Sequence, residues 1–363
     1  MSSPPCVDIA IVNYFSAPDV GRCLQRLGPW RHGTVWLIDN SHDAAEAAAL
    51  QRLAGCLEWV RLVDAGGNLG FGRACNLAFE RSRSELFLLL NPDAQAAPAD
   101  LLVLAQALRD DPGLGAVSPR MYWNEARTFL LPEAFPQTPW SAVAQVLALR
   151  FRGLTRQAAR RYLARQQRQM AAAAPFDVGF LAGAVMMVRR AAVAAAGGLF
   201  DPAYFMFYED ADLSLRLRRS GWRLAVAPAA AAVHEYRHKA FKADMMARSR
   251  DRYYRQCYPA FHALTGGLLR VDRLARPVPP GWFDRSAGRC RTLAEFAGAT
   301  AGAGVLALSP SMSMMPALFR PAGQAGPLTP AEWQLLEPAQ YVALMQDAAA
   351  GALPRWVHFE RLP

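Results

Sequence analysis

The chain of 363 residues has room for about two domains and a core of ordinary size. At 53% hydrophobic and 19% charged residues it is neither a disordered tail nor a fibrous chain. Forty basic against thirty acidic residues leave a net charge of +10. Only Lys239 and Lys242 are lysines. The basicity is therefore arginine, which suits bidentate contact with phosphate or carboxylate, although a GC-rich genome produces the same bias.

No uninterrupted apolar run reaches the roughly 18 residues of a membrane span. The best candidate, Leu293 to Phe319, is broken by Glu295, several glycines and Pro310. The opening Met-Ser-Ser-Pro-Pro has neither a basic n-region nor an apolar h-region, so secretion is not expected. Six cysteines without a Cys-x-x-Cys pair read as reduced, mostly buried thiols of a cytoplasmic protein.

In chain order, Val7–Asn13 is an apolar run with only Asp8 inside it, the pattern of a strand buried on both faces. Val20, Cys23, Leu24 and Leu27 then recur at helical spacing behind Ser16 and Pro18. Thr34–Asp39 is a second strand, and Asp43 with Glu46 opens a helix reaching Leu53. Leu57–Val63 is a third strand, Gly66–Gly72 a glycine-rich loop and Arg73–Arg81 a helix. Glu85–Leu90 is a fourth strand ending in Asn91-Pro92-Asp93, and Pro98–Arg109 is helical. Strands alternating with helices imply crossover units and a parallel sheet, whose ligands sit at the strands' carboxyl ends. Asn13, Asp39, Asn68 and Asp93 fall at or just after such ends, although Asn and Asp are also ordinary turn formers. A dinucleotide-binding oxidoreductase is excluded. Its Gly-x-Gly-x-x-Gly should follow the first strand, where Tyr14-Phe15-Ser16-Ala17-Pro18 stands instead.

Between Glu133 and Asp177 there is no acidic residue, yet seven arginines occur there. Arg152, Arg156 and Arg160 are four apart, with Val143, Val146, Leu147, Leu154 and Leu163 supplying an apolar side. Two readings stand: a basic amphipathic helix on an anionic membrane, or a solvated helix face. Aromatics are too sparse here for a nucleic-acid site. Farther on, Val178–Arg189 reads as a strand carrying Gly183-Ala184. Tyr204-Phe205-Met206-Phe207-Tyr208 leads into Glu209-Asp210-Ala211-Asp212 at a helix start. One acid caps a helix; three exceed what capping requires. Trp222–Ala227 is a strand that Pro228 ends, with His234 beyond it.

In these residues the chain resembles the inverting family-2 glycosyltransferases of GT-A fold, particularly their rhamnosyltransferase-like branch. The carrying residues are Val12-Asn13-Tyr14, Ile38-Asp39-Asn40, Asn68-Leu69-Gly70-Phe71 with Asn76, and Leu89-Leu90-Asn91-Pro92-Asp93. Gly183-Ala184 with Arg189-Arg190, and Phe205 to Arg216, complete the set over roughly residues 6–260. The resemblance implies an α/β fold: a Rossmann-like mixed, mostly parallel sheet flanked by helices, with a small C-terminal appendage. It divides the chain into a GT-A domain, 1–265, and an extension of unassigned role, 266–363. Within the former, 1–120 is a nucleotide-binding half, 121–175 a basic variable insert and 176–265 an acceptor and catalytic half.

The resemblance further implies Asp210 as catalytic base, and Glu209, Gly183 and Ala184 at the acceptor. Asn13, Asp39, Asn68 and Asn91 fall at the nucleotide, and Asp93 and His234 at a divalent metal, Mn2+ or Mg2+. The chain departs from the family at Asn91, which replaces the first Asp of Asp-x-Asp. It departs again at Phe15, where Asn is usual, and at Ser41-His42, where Gly-Ser is usual.

The chemistry fits these residue types. A diphosphate leaving group needs a hard cation, and a hydroxyl attacking the anomeric carbon needs a carboxylate to take its proton. A His ligand suits manganese better than magnesium. The expected donor is a nucleotide sugar, dTDP-L-rhamnose first and a UDP-sugar second. The expected acceptor is a glycan or lipid-linked glycan of bacterial surface polysaccharide synthesis. The place is the cytoplasm, or the inner face of the cell membrane if the basic insert binds lipid.

Two other classes are weighed. His234-Glu235-Tyr236-Arg237-His238 matches the zinc-peptidase His-Glu-x-x-His, although Pro228 and alanines precede it where an apolar helix is wanted. A non-catalytic protein that only binds a sugar nucleotide would have less use for both Asp93 and Asp210. Past a Pro/Gly linker around Pro277–Gly281, Ala331–Leu344 reads as a helix and Trp356–Phe359 as a strand.

Overall fold

A computed structural model describes residues 6–131, 136–234, 243–265, 282–301, 303–310, 317–321, 323–346 and 354–363. β1 (Val7–Asn13) is buried at every position, as its unbroken apolar run requires. Val7, Ile9 and Ile11 enter the core on one face of the sheet, Ala10 and Val12 the core on the other. β1 pairs in parallel with β2 (Val35–Asp39), and β2 with β3 (Val60–Asp64). On its other side β1 takes β4 (Leu86–Leu90), also parallel. The crossover helices are α1 (Ala17–Leu27), α2 (Ala44–Ala54) and α3 (Phe71–Arg81). The Asp43 carboxylate caps α2 by accepting from the Ala45 and Glu46 amides, as the Asp-x-x-Glu spacing predicts.

Farther along run β5 (Ala94–Ala96), α4 (Pro98–Asp110), β6 (Leu114–Tyr122), α5 (Pro139–Arg150) and α6 (Arg152–Met170). After them come β7 (Phe176–Val178), β8 (Val185–Arg189), α7 (Arg190–Ala195), α8 (Glu209–Arg219) and β9 (Arg223–His234). The sheet order is β3-β2-β1-β4-β8-β6-β9-β5, with β7 against β9. Helices α1, α2 and α4 cover one face, and α3, α7 and α8 the other. This is the mixed, mostly parallel, helix-flanked sheet that the sequence predicts. α9 (Ala243–Cys257) and α10 (Pro259–Thr265) follow.

Two expectations about strands are corrected. Val178–Arg189 is two strands, and Gly183-Ala184 lies in the connection between them. Pro228 does not end its strand. β9 runs on to His234 because Pro228, Ala229 and Ala230 bulge out between the register pairs Ala227–Pro119 and Ala231–Arg120. A bulge is where a residue without an N–H is tolerated. Of the six cysteines, Cys23, Cys75 and Cys290 are buried, Cys257 is half-buried, and Cys6 and Cys56 are exposed.

The second sheet is built from β10 (Arg285–Cys290), β11 (Gly304–Ser309), β12 (Leu318–Phe319), β13 (Ala339–Gln346) and β14 (Arg355–Arg361). Its order is β10-β14-β13-β11-β12. Ala331–Leu344 is not one helix. A helix spans Pro330–Leu335, Pro338 prevents its continuation, and β13 starts at Ala339.

This sheet shares its core with the basic insert. Trp123 and Phe129 pack in one apolar cluster with Phe296, Trp333 and Phe359. Ala159, Tyr162 and Leu163 of α6 pack in another with Phe319, Leu344 and Trp356. Leu130 bridges both Tyr122 and Phe319. Arg152 and Arg156 reach Asp284 at 3.4 and 2.6 Å, and Arg156 lies over the Trp356 ring. The Arg152–Arg156–Arg160 row is therefore not a single free face: its first two members are turned to the C-terminal sheet.

A buried polar knot closes this contact. The Glu332 carboxylate accepts from Arg320, Asn124, Thr128 and the Thr329 amide. Both Glu332 and Arg320 are buried. Removing one member of a buried pair strands the other's charge, so Glu332→Ala is expected to cost about 3–5 kcal/mol. Denaturant unfolding checks this. A loss under about 1 kcal/mol means Arg320 finds solvent instead.

Candidate active site

The carboxyl ends of β1, β2 and β3 place Asn13, Asp39 and Asp64 side by side in register. Asn13 is fully buried; its amide donates to Asp39 Oδ1 at 3.4 Å and its Oδ1 accepts from Ser16. Asp39 Oδ1 also accepts from the Ser41 amide and hydroxyl. Asn40 donates to Asn68 Oδ1 at 3.1 Å and accepts from the Leu69 amide at 2.8 Å. Sequence reasoning names Asn13, Asp39 and Asn68 here, and they are brought together. It gives no role to Asn40, which joins the Asn13 backbone to Asn68 and Leu69. Tyr14 and Phe15 stand exposed and edge-to-face just beyond β1, with Phe15 at φ 50°.

The glycine-rich loop is tied to the acidic helix. The Phe71 amide donates to the Phe205 carbonyl at 3.0 Å. Gly70 has φ 83°, and a Cβ there would lie 2.2 Å from that carbonyl oxygen, so only glycine fits. Asn76 is a brace: its side chain donates to the Phe200 carbonyl and accepts from the Phe200 amide. Arg190 braces likewise, stacking on Phe79 and donating to the Ser84 carbonyl.

The three acids at the start of α8 do three different things. Asp212 is buried and pairs with Arg216 at 2.7 Å. Arg216 in turn gathers the carbonyls of Ala196, Gly198 and Leu199. Glu209 is buried beside Gly72 of α3, and its Oε2 has no hydrogen-bond partner among the described residues. Burial first, and then the Asp210 charge, push it from 4.5 to about 8.

Asp210 is held by backbone alone: Oδ2 accepts from the Gly183 amide at 3.1 Å and Oδ1 from the Ala211 amide at 2.8 Å. Burial raises its pKa, and these amides oppose the rise. The preceding Phe207 and Tyr208 both have left-handed backbones, at φ 69° and 66°. Strain of this kind, about 1–3 kcal/mol per residue, gathers at functional sites. Nothing in the aromatic run announces it.

Gly183 and Ala184 act through their neighbours. Gly183 holds Asp210, and the Ala184 carbonyl accepts from the Asn91 amide at 2.8 Å. Asn91 Oδ1 is buried with no partner among the described residues. From Asn91 the chain turns to Asp93, and β5 sets Ala94 opposite His234 of β9. His234 Nε2 and Asp93 Oδ1 are 3.3 Å apart. The two residues predicted as metal ligands therefore meet. A carboxylate oxygen and an imidazole nitrogen are donors that Mn2+ accepts. Among the described residues no third His, Cys, Asp or Glu joins them, so phosphate oxygens and water would complete the shell.

The peptidase reading is not favoured, because His234 ends a β-strand instead of standing on a helix. Glu235 and His238 lie outside the described residues.

Residues 4–255 match the model of the glycosyltransferase-like family 2, and the chain belongs to that family. A relative from Mycobacterium tuberculosis, an N-acetylglucosaminyl-diphospho-decaprenol L-rhamnosyltransferase, is 31% identical over 260 residues. That alignment covers 63% of this chain and 76% of the relative. The rhamnosyltransferase WbbL of Escherichia coli is 44% identical over 61 residues, 17% of this chain and 23% of its own. A solved mannosyltransferase from Pyrobaculum calidifontis, in complex with GDP-Man and Mn2+, is 17% identical with a TM-score of 0.49. It covers 72% of this chain and 70% of its own.

The raised Glu209 pKa has a consequence for stability. Between 4.5 and about 8 the folded chain binds more protons at this site than the unfolded chain, so stability falls as pH rises through that window. Glu209→Gln removes the titration. Its thermal midpoint is expected to gain on wild type from pH 5 to pH 8.5, by scanning calorimetry at both. A gap that does not change with pH means Glu209 is ionised throughout.

Proposed function

We propose that the chain is an inverting glycosyltransferase with Asp210 as its base. The single observation behind this reading is the carboxylate fixed by two backbone amides and joined, through Gly183, Ala184 and Asn91, to the turn bearing Asp93. Neither amide proton is lost in a reaction, so the carboxylate keeps its aim while it takes up a proton. The acceptor hydroxyl attacks the anomeric carbon from the face opposite the leaving diphosphate, and Asp210 receives the hydroxyl proton as the bond forms. Burial that raises the Asp210 pKa brings it nearer that of a useful general base at neutral pH.

Asn13, Asp39 and Asn68, at the carboxyl ends of the strands, serve the nucleotide, with Asn40 coupling them; Asn91 offers its buried Oδ1. Asp93 and His234 would hold a divalent metal, which when bound would supply positive charge against the leaving diphosphate. By similarity to the mycobacterial relative, the sugar is L-rhamnose and the acceptor a lipid-linked diphospho-sugar. The first donor to test is dTDP-L-rhamnose, and a UDP-sugar is the second.

A panel of nucleotide sugars with Mn2+ and a GlcNAc-diphospho-lipid acceptor tests the reading, with product configuration read by NMR. Retention at the anomeric carbon overturns the inverting mechanism. Nucleotide-sugar binding without turnover across acceptors favours the binding-only alternative. Asp210→Asn keeps shape but accepts no proton, so kcat should fall at least about 100-fold with donor affinity nearly unchanged. A variant retaining a tenth of wild-type kcat removes Asp210 as base.

Asp93→Ala should instead weaken Mn2+-dependent nucleotide binding in calorimetric titration. Equal affinity with and without Mn2+ in the wild type counts against a metal there. His234→Ala should impair transfer, whereas Glu235→Ala and His238→Ala should cost less than about tenfold. Stoichiometric zinc with an inactive Glu235→Ala overturns the assignment in favour of the peptidase.

A further inference from the structure

The insert carries a surface that the proposed transfer reaction does not use. On α5, Trp140 is 79% exposed, and Leu147, two turns on and so on the same face, is also exposed. Phe151, at the junction with α6, and Leu154, in its first turn, are exposed too. Four large apolar side chains left in water along two consecutive helices exceed the scatter expected of a surface.

α6 continues this surface with charge. Leu154, Arg161, Arg165 and Arg168 are spaced seven, four and three apart, which sets them on one face, and all four are exposed. The opposite face, with Thr155, Ala159, Tyr162 and Leu163, is buried against the C-terminal sheet. The outward face is thus held in place by the inward one. No acidic residue lies between Glu133 and Asp177 to balance these arginines.

We infer that this face docks on an anionic lipid bilayer, with Trp140, Leu147, Phe151 and Leu154 entering the headgroup boundary and Arg161, Arg165 and Arg168 meeting lipid phosphates. Charge complementarity selects this occupant. A second copy of the chain would set arginines against arginines, and a neutral apolar partner would leave them unused. Tryptophan is the side chain most at home at a membrane interface, and apolar insertion beside a basic cluster gives the two signals that stable peripheral binding needs. The arginines of this inference are not Arg152 and Arg156, which Asp284 engages. The inference goes beyond the transferase reading and does not rest on it.

The test is co-sedimentation of the full chain with vesicles of phosphatidylglycerol and phosphatidylcholine, against phosphatidylcholine alone. Wild type is expected in the pellet with the anionic vesicles only. Arg161→Gln, Arg165→Gln and Arg168→Gln together should weaken partitioning on the order of 100-fold at low salt, about fivefold for each charge removed. Trp140→Ser with Phe151→Ser should also weaken it, and here the loss should persist at high salt, where charge is screened.

Circular dichroism and the thermal midpoint confirm that the variants fold. Failure of wild type to pellet overturns the proposal. So does unaltered binding by the apolar variant, which leaves charge adsorption alone, or a lipid-free dimer that this variant dissociates. Transfer to a water-soluble acceptor should be unchanged in both variants. Loss of vesicle binding is therefore separable from failure of the transferase reading.

Discussion

Two hydrogen bonds donated by backbone amides, Gly183 N–H to the Asp210 carboxylate and Asn91 N–H to the Ala184 carbonyl, set the geometry on which the rest of the site depends. β8 lies beside β4 in the interior of the sheet, with Leu90 opposite Val185. The residues just before β8 must therefore pass the residues just after β4. That crossing puts an acid from a helix start beside the turn that carries Asp93. Apart from the Asp210 carboxylate itself, the link is made by backbone. A Cβ at 183 would stand 3.5 Å from the Phe71 ring and 3.7 Å from the Asp210 Cβ, so Gly183 lies directly between them.

The same helix start separates charges that would otherwise destabilise one another. Three carboxylates within four residues repel, and the fold answers by giving each a different environment. Asp212 is neutralised by Arg216, which repays the loop 196–199 with three hydrogen bonds. Glu209 is buried with no counter-ion among the described residues, so it is the member of the pair that burial and its neighbour's charge drive toward the neutral form. Asp210 keeps two amide donors, which favour its ionised form. Neighbouring acids whose environments differ this way are how a site holds one proton and leaves one carboxylate free to accept another.

The N-terminal half was legible in the sequence because its signals are local. β1 is a nearly pure apolar run, α2 carries its own cap, and the polar residues stand where each strand stops. Asp93 and His234 were legible as a pair only through resemblance, since 141 residues separate them and the β5–β9 pairing that joins them is three residues long. Glu209 is placed at the acceptor by resemblance alone; its side chain is buried beside Gly72 of α3, far along the chain, a contact that no local pattern encodes. Val178–Arg189 looked like one strand because apolar character continues through Phe180 and Leu181. Those side chains are buried off the sheet, in clusters with α8 and α9, not in a ladder.

The insert and the C-terminal sheet were read as separate additions, and packing joins them. α6 buries one stripe, and that stripe is covered by β12, β13 and β14 together with the segment around Leu130. A lone helix with a single apolar stripe is marginal in water. Without the C-terminal sheet, α6 would expose Tyr162, Leu163 and Met170 as well as its arginines, and nothing would fix which side faced out. The Arg152–Asp284 and Arg156–Asp284 pairs, with Arg156 over Trp356, set its rotation about its own axis. Such partly exposed pairs add little stability individually, but a helix rotated by a third of a turn would lose all three contacts at once. The extension need not touch a substrate to matter. It determines which face of the basic helix meets the surroundings.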